Sequence, residues 1–250
     1  MSSWWPRLRK AWAIAGSLAL VIWVAWCAIA FQPSAFARTA LADSAQVRVR
    51  AMADAWVFEP VTPASDARSL MFFPGGLVDA RAYAPLMQAV ARGGHLAVLV
   101  RTPWRGAFGH AEAPATLAAA HAIAQRLGGH WVVSGHSRGG KAAAAYAQRY
   151  RGDVGALVLV GTSHPRDIDL RDAPFAVVQV LGDRDPIASV TRADRNRHRL
   201  PAHASRDVLR GANHSQFGDY GFQPGDRVAR MPRHAQRAAT AAVLHAELAD

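Results

Sequence analysis

Between Ala11 and Phe31 the chain carries no charged residue. As an α-helix, at about 1.5 Å per residue, this run is about 31 Å long, enough to cross a bilayer core of about 30 Å. Arg7, Arg9 and Lys10 precede it, and five of the eight tryptophans (Trp4, Trp5, Trp12, Trp23 and Trp26) lie in or beside it. Several of these sit near its ends, where an indole rests at the headgroup level. A soluble helix of this length would show a polar stripe for its solvent face, and none is present. The expectation is a transmembrane segment over 11–31, with Cys27 facing lipid. The basic tail over 1–10 would stay in the cytoplasm, because Lys and Arg are retained on that side. The rest of the chain would then lie outside. Two fates of the segment stay open. An uncleaved anchor is favoured, because the run exceeds the roughly 7–15 apolar residues of a signal-peptide core. A cleaved signal is the alternative, because Ala35-Phe36-Ala37 has the small-x-small pattern of a processing site. Residues 32–44 read as a linker and 45–250 as one domain.

That domain alternates between strand and helix signals. Val47–Met52 and Ala55–Glu59 read as a hairpin. Further strands are expected at Ser69–Phe73, His95–Val100, Trp131–Ser134, Ala156–Val160, Ala176–Leu181 and Asp207–Arg210. Helices are expected at Ala82–Ala91, Ala115–Leu127, Arg138–Tyr150 and Arg233–Leu248, two of them stopped by glycine pairs at 93–94 and 128–129. Runs such as Leu157-Val158-Leu159-Val160 are apolar throughout, as strands buried on both faces must be. The expected fold class is α/β, a mostly parallel central sheet with helices on both faces. No internal repeat and no second domain is visible.

Gly135-His136-Ser137-Arg138-Gly139 lies between an expected strand and an expected helix. This is G-x-S-x-G in the strand–turn–helix setting of a nucleophile elbow. Small flanking residues let the backbone close tightly, which leaves the Ser137 hydroxyl exposed at the tip. The N–H of Arg138 opens the helix and points where an oxyanion would form. The same stretch mimics a phosphate-binding loop, since Gly135, Gly140 and Lys141 fit G-x-x-x-x-G-K. Ala142 then stands where that loop needs Ser or Thr to hold Mg²⁺, so this alternative is set aside.

Serine needs a base, and the base needs an orienting acid. After the strand ending at Leu181 comes Gly182-Asp183-Arg184-Asp185-Pro186, with two carboxylates in competition. Asp185 is preferred, being deeper in the turn, and Asp183 stays as the alternative. His214 is the base candidate, because it alone of the eleven histidines lies on a loop after the last strand. His136 reads as packing and His164 as a possible pocket residue. The loop Pro74-Gly75-Gly76-Leu77 would supply a second oxyanion donor, from the N–H of Gly76 or of Leu77.

These pieces together resemble the α/β-hydrolase superfamily, and more narrowly its small bacterial "alpha/beta hydrolase fold-5" type. The matching stretches are Phe72–Val78 with Tyr83-Ala84-Pro85-Leu86, Val100-Arg101-Thr102-Pro103, Gly135–Gly139, Gly182–Asp185 and Asn213–Gly221. The last is the most specific. The resemblance spans about residues 45–248 and implies a Ser137–Asp185–His214 triad with no metal and no organic cofactor. It implies hydrolase activity only broadly, since fold does not fix substrate. Serine as nucleophile departs from the cysteine of the related dienelactone hydrolases. Only Gly161 to Phe175 separates two strands where many relatives insert a cap, so a shallow, open site is expected. Trp104, Phe108, Phe217 and Tyr220 are candidates for its apolar walls or for plain core.

The net charge of +11 is the remaining oddity. Arg7, Arg9 and Lys10 account for +3 as flanks of the apolar run. The rest falls in a domain that lacks any helix with a dense Arg face and interleaved aromatics, so nucleic acid is not an expected partner. The expected partners are a small-molecule ester or acyl substrate and, through the N-terminal helix, the membrane. The expected chemistry is acyl transfer to water, most readily from a carboxylic ester. An acyltransferase or peptidase with the same triad, or a non-catalytic binding protein of the same fold, are the alternatives.

Overall fold

The computed structural model describes residues 4–65 and 68–249; residues 1–3 of the basic tail and residue 250 of the domain lie outside them. The apolar runs form strands β1 (Val47–Ala51), β2 (Ala55–Pro60), β3 (Ser69–Phe73), β4 (Ala97–Val100), β5 (Trp131–His136), β6 (Val154–Val160), β7 (Ala176–Gly182) and β8 (Ser205–Leu209). The last begins two residues earlier than expected. All eight join one sheet in the order β1-β2-β4-β3-β5-β6-β7-β8. β2 pairs antiparallel with β1 and β4, and every other pairing is parallel.

The helices are α1 (Trp4–Ala30), α2 (Ala35–Thr39), α3 (Ala84–Arg92), α4 (Pro114–Leu127), α5 (Arg138–Arg149), α6 (Val190–Asp194) and α7 (Arg233–Ala249). The strand period of two splits the core cleanly. Met71 and Phe73 of β3 face α4 and α5, beside Leu117, Ile123, Ala143 and Tyr146. Leu70 and Phe72 face the other way, toward Leu86, Met87 and Val90 of α3 and Leu244 and Leu248 of α7. Phe72 is fully buried, so truncating it to alanine would cost about 3–5 kcal/mol. The β6–β7 connection contains no helix, as expected of a chain without an inserted cap.

α1 is long and apolar enough to cross a membrane. Most of it is exposed, but its last turns are not free. Cys27 and Phe31 are buried in the α3–α7 core layer, so Cys27 faces the domain and not lipid. The carbonyls that end a helix lack intrahelical partners, and here the domain supplies them. Ala30 O accepts from Gly221 N (2.7 Å) and Phe31 O from Asp79 N (3.0 Å). A Cβ on Gly221 would stand 2.8 Å from that Ala30 oxygen, so glycine lets the two backbones meet.

The stretch expected as a linker is likewise docked. Pro33 bridges Tyr220, Ser34 N donates to Asp219 O (2.8 Å), and the Ser34 hydroxyl caps α2 by accepting from Ala37 N (3.0 Å). Arg237 stacks over the Phe36 ring at 4.9 Å and pairs with Asp219 at 3.0 Å. Ala37 is fully buried.

Candidate active site

The turn from β5 into α5 is tight for a steric reason. A Cβ on Gly139 would overlap the carbonyls of Phe73 and Pro74. Ser137 adopts φ 53°, ψ −118°, a strained conformation for a residue with a side chain. Its N–H is held by Val160 O at 3.0 Å. The serine therefore stands at the tip, above the C-terminal ends of the parallel strands, where ligands bind in open α/β sheets.

The structure brings Asp185 and His214 together. Asp185 Oδ2 lies 2.7 Å from His214 Nδ1, and both side chains are fully buried. Asp185 Oδ1 accepts from the N–H groups of Ile187 (2.8 Å) and Ala188 (2.7 Å), which fixes the carboxylate plane. Asp183 is elsewhere: its Oδ1 accepts from Gly211 N at 2.6 Å, a brace for the loop before His214. The His214 ring lies 4.5 Å from that of His136, the neighbour of Ser137, with the two planes tilted by 47°. His214 Nε2 is buried with no hydrogen-bond partner among the described residues. Catalytic hydrogen bonds often tighten only once substrate is bound.

Supports that sequence reasoning missed surround this pair. Asp226 accepts from His214 N (3.2 Å), Ser215 N (2.7 Å), the Ser215 hydroxyl (2.6 Å) and Arg227 N (2.8 Å). Gln236 of α7 exchanges two bonds with the Asn213 backbone (3.2 and 2.7 Å). The Tyr83 hydroxyl accepts from Gly75 N at 3.1 Å and lies 2.7 Å from His136 Nδ1. The hydroxyl thus bridges the glycine loop and the ring next to Ser137. Tyr83 lies in one of the stretches that carried the family resemblance; Asp226 and Gln236 had no signal, because their partners are distant or backbone. Burial, helped by the neighbouring His214, keeps the His136 pKa well below the ordinary histidine value.

In the glycine loop, Leu77 has φ 65°, and its N–H donates to Arg105 O at 2.7 Å. Over Ser137 lies a cavity of ≈ 740 Å³, within the usual range for ligand sites. Gly76, Leu77, Ser137, Arg138 and residues 105–108 line one side, and Trp23, Val24, Cys27, Ala28 and Phe31 the other. The expected open site is therefore walled, by the end of α1 in place of a cap. Of the four aromatic candidates only Phe108 lines it. Trp104 points to solvent at 75% exposure, while Phe217 and Tyr220 are buried, packed on His136 and Phe31. His164 is not among the lining residues.

Comparison with known proteins agrees with this architecture. Residues 69–238 match the model of a family described as the alpha/beta hydrolase family. No curated protein matches the chain. Among solved structures, a bacterial heroin esterase is 18% identical with a TM-score of 0.60, covering 86% of this chain and 89% of its own. Est1E from Butyrivibrio proteoclasticus, with ferulic acid bound, is 11% identical with a TM-score of 0.58, covering 83% and 98%. A predicted CIB-like hydrolase from Thermoplasma acidophilum is 15% identical with a TM-score of 0.58, covering 80% and 98%. At these identities the likeness is one of fold.

Proposed function

The chain belongs to the alpha/beta hydrolase family, and from that premise we propose that it is a serine hydrolase cleaving carboxylic esters through an acyl-serine. The observation that carries this reading is the buried 2.7 Å contact between Asp185 and His214, together with a serine held at positive φ in the turn after β5. His214 Nε2 takes the Ser137 proton as Oγ attacks the ester carbonyl. Asp185 orients the ring and stabilises the imidazolium. The leaving alcohol takes that proton. His214 then deprotonates a water that attacks the acyl-serine, and the acid leaves with Ser137 regenerated.

The N–H groups of Gly76 and Arg138 hold the oxyanion. Leu77 is less suited, because its N–H is engaged by Arg105 O. Each such donor is worth about 2.7–4 kcal/mol of barrier. The esterase relatives in fold favour esters over amides as the substrate. α1 serves as an uncleaved anchor, with Arg7, Arg9 and Lys10 on the cytoplasmic side and the catalytic domain outside. The packing of residues 31–39 against the domain supports retention of the segment.

The test is fluorophosphonate labelling and turnover of a short-chain nitrophenyl ester by the full chain and by Ser137→Ala. Loss of both in the variant is expected, and equal labelling would overturn the assignment. An added alcohol that diverts the acyl group from water would mark an acyltransferase.

A further inference from the structure

The end of α1, the proposed membrane anchor, forms one wall of the cavity over Ser137. From Trp23 to Phe31 the wall climbs about 12 Å along α1, at about 1.5 Å per residue. Counted from Ala11, the first residue after the basic flank, it occupies the last two-fifths of a span of about 30 Å. The cavity therefore lies at the level of the leaflet nearest the domain. Its rim on the domain side is apolar and exposed: Leu77 is 41% and Phe108 95% accessible, and Trp104, on the same loop as Phe108, is 75% accessible. Large exposed aromatics beside a membrane helix belong at the lipid interface. The polar lining is confined to the domain side, with Ser137, Arg138 and Arg105.

We infer that the substrate is a membrane-resident ester with a long acyl chain, which enters from the bilayer and lies against Val24, Ala28 and Leu77 while its carbonyl meets Ser137. This rests on the serine-esterase and anchor readings and names the substrate class of that site. An apolar chain moving from lipid into this cavity stays out of water, so its burial is not lost on binding. A water-soluble ester would leave the wall of α1 unused.

The test uses the full chain in phosphatidylcholine nanodiscs, with nitrophenyl dodecanoate and nitrophenyl acetate as probes. Ala28→Trp and Val24→Trp fill the wall. The ratio of dodecanoate to acetate kcat/KM is expected to fall at least tenfold in each, and this ratio is independent of how much enzyme is folded. Dodecanoate turnover is also expected to follow its mole fraction in the bilayer, not its bulk concentration. An unchanged ratio, or a rate set by bulk concentration, overturns the inference while acetate turnover leaves the esterase reading standing. Absence of turnover of both esters by the wild type, together with no fluorophosphonate labelling, removes the esterase reading and the inference with it.

Discussion

The Tyr83 hydroxyl stands 2.7 Å from His136 Nδ1 and takes a hydrogen bond from Gly75 N at 3.1 Å. One fully buried phenol thus ties the glycine loop to the strand that presents Ser137. Tyr83→Phe keeps the ring packing and strands two buried polar groups. Each unsatisfied group costs about 1–3 kcal/mol. The expected result is a lower denaturant midpoint and a lower kcat on a short ester, because the loop that carries the proposed Gly76 donor loses its brace at Gly75. A midpoint equal to wild type would show the pair to be dispensable.

Asp185→Asn is expected to lower kcat on the order of 10³–10⁴-fold, as loss of the orienting acid does in serine triads. Asp183→Asn retains an acceptor for Gly211 N and should keep turnover within a few-fold. Steady-state kinetics on the two variants separates the carboxylates. The opposite ranking would move the acid to Asp183.

Asp226 is the anchor of the His214 loop. Asp226→Ala removes the acceptor of four hydrogen bonds. It should lower kcat more than it raises KM, because it disturbs the base and not the cavity. Circular dichroism melts should show lost stability as well. An unaltered kcat would mean that Gln236 and Asn213 hold the loop alone.

Stability should fall as pH drops below about 6.5. Burial holds His136 well below its ordinary pKa, and burial together with Arg166 holds His164 down to about 4. In this range the unfolded chain binds protons that the native histidines refuse. Stability therefore rises with pH and is lost on acidification, by up to about 1.4 kcal/mol per pH unit for each neutral histidine. The His164 contribution levels off below about pH 4. At Asp79, burial pushes the carboxyl up but the hydrogen bonds and charge of Arg81 prevail, so its pKa lies below the usual value. Its loss therefore begins at lower pH. Denaturant midpoints from pH 7.5 to 5 test this, and His164→Asn should flatten the slope.

Retention of the N-terminal segment predicts that membrane-fraction protein contains residues 1–37, as intact mass spectrometry would read. A mature chain beginning at Arg38 would lack Phe31 and the wall it belongs to, and would contradict the anchor.

The sheet and the positions of Ser137, Asp185 and His214 were legible because each obeys a local rule: apolar runs for buried strands, glycines around a sharp turn, a carboxylate and a histidine on loops after late strands. The walled cavity was not. An apolar helix reads alike on every side, so nothing in the run from Ala11 to Phe31 distinguishes Cys27 and Phe31, which pack on protein, from Ile29, which is exposed. Trp104 and Phe108 were also opaque, because both sit at positive φ without being glycine, a conformation their residue types give no reason to expect. Asp226 and Gln236 escaped notice because all their partners but the Ser215 hydroxyl are backbone groups, which carry no sequence identity.

If α1 spans a bilayer as proposed, its direct seat on the domain, Ala30 O against Gly221 N, leaves no slack between the two. A helix meets a bilayer too thin or too thick for it by tilting. With its last turn bonded to the loop that follows His214, such a tilt would load the joint between the cavity wall and that loop. On that proposal bilayer thickness becomes a coordinate of the candidate site.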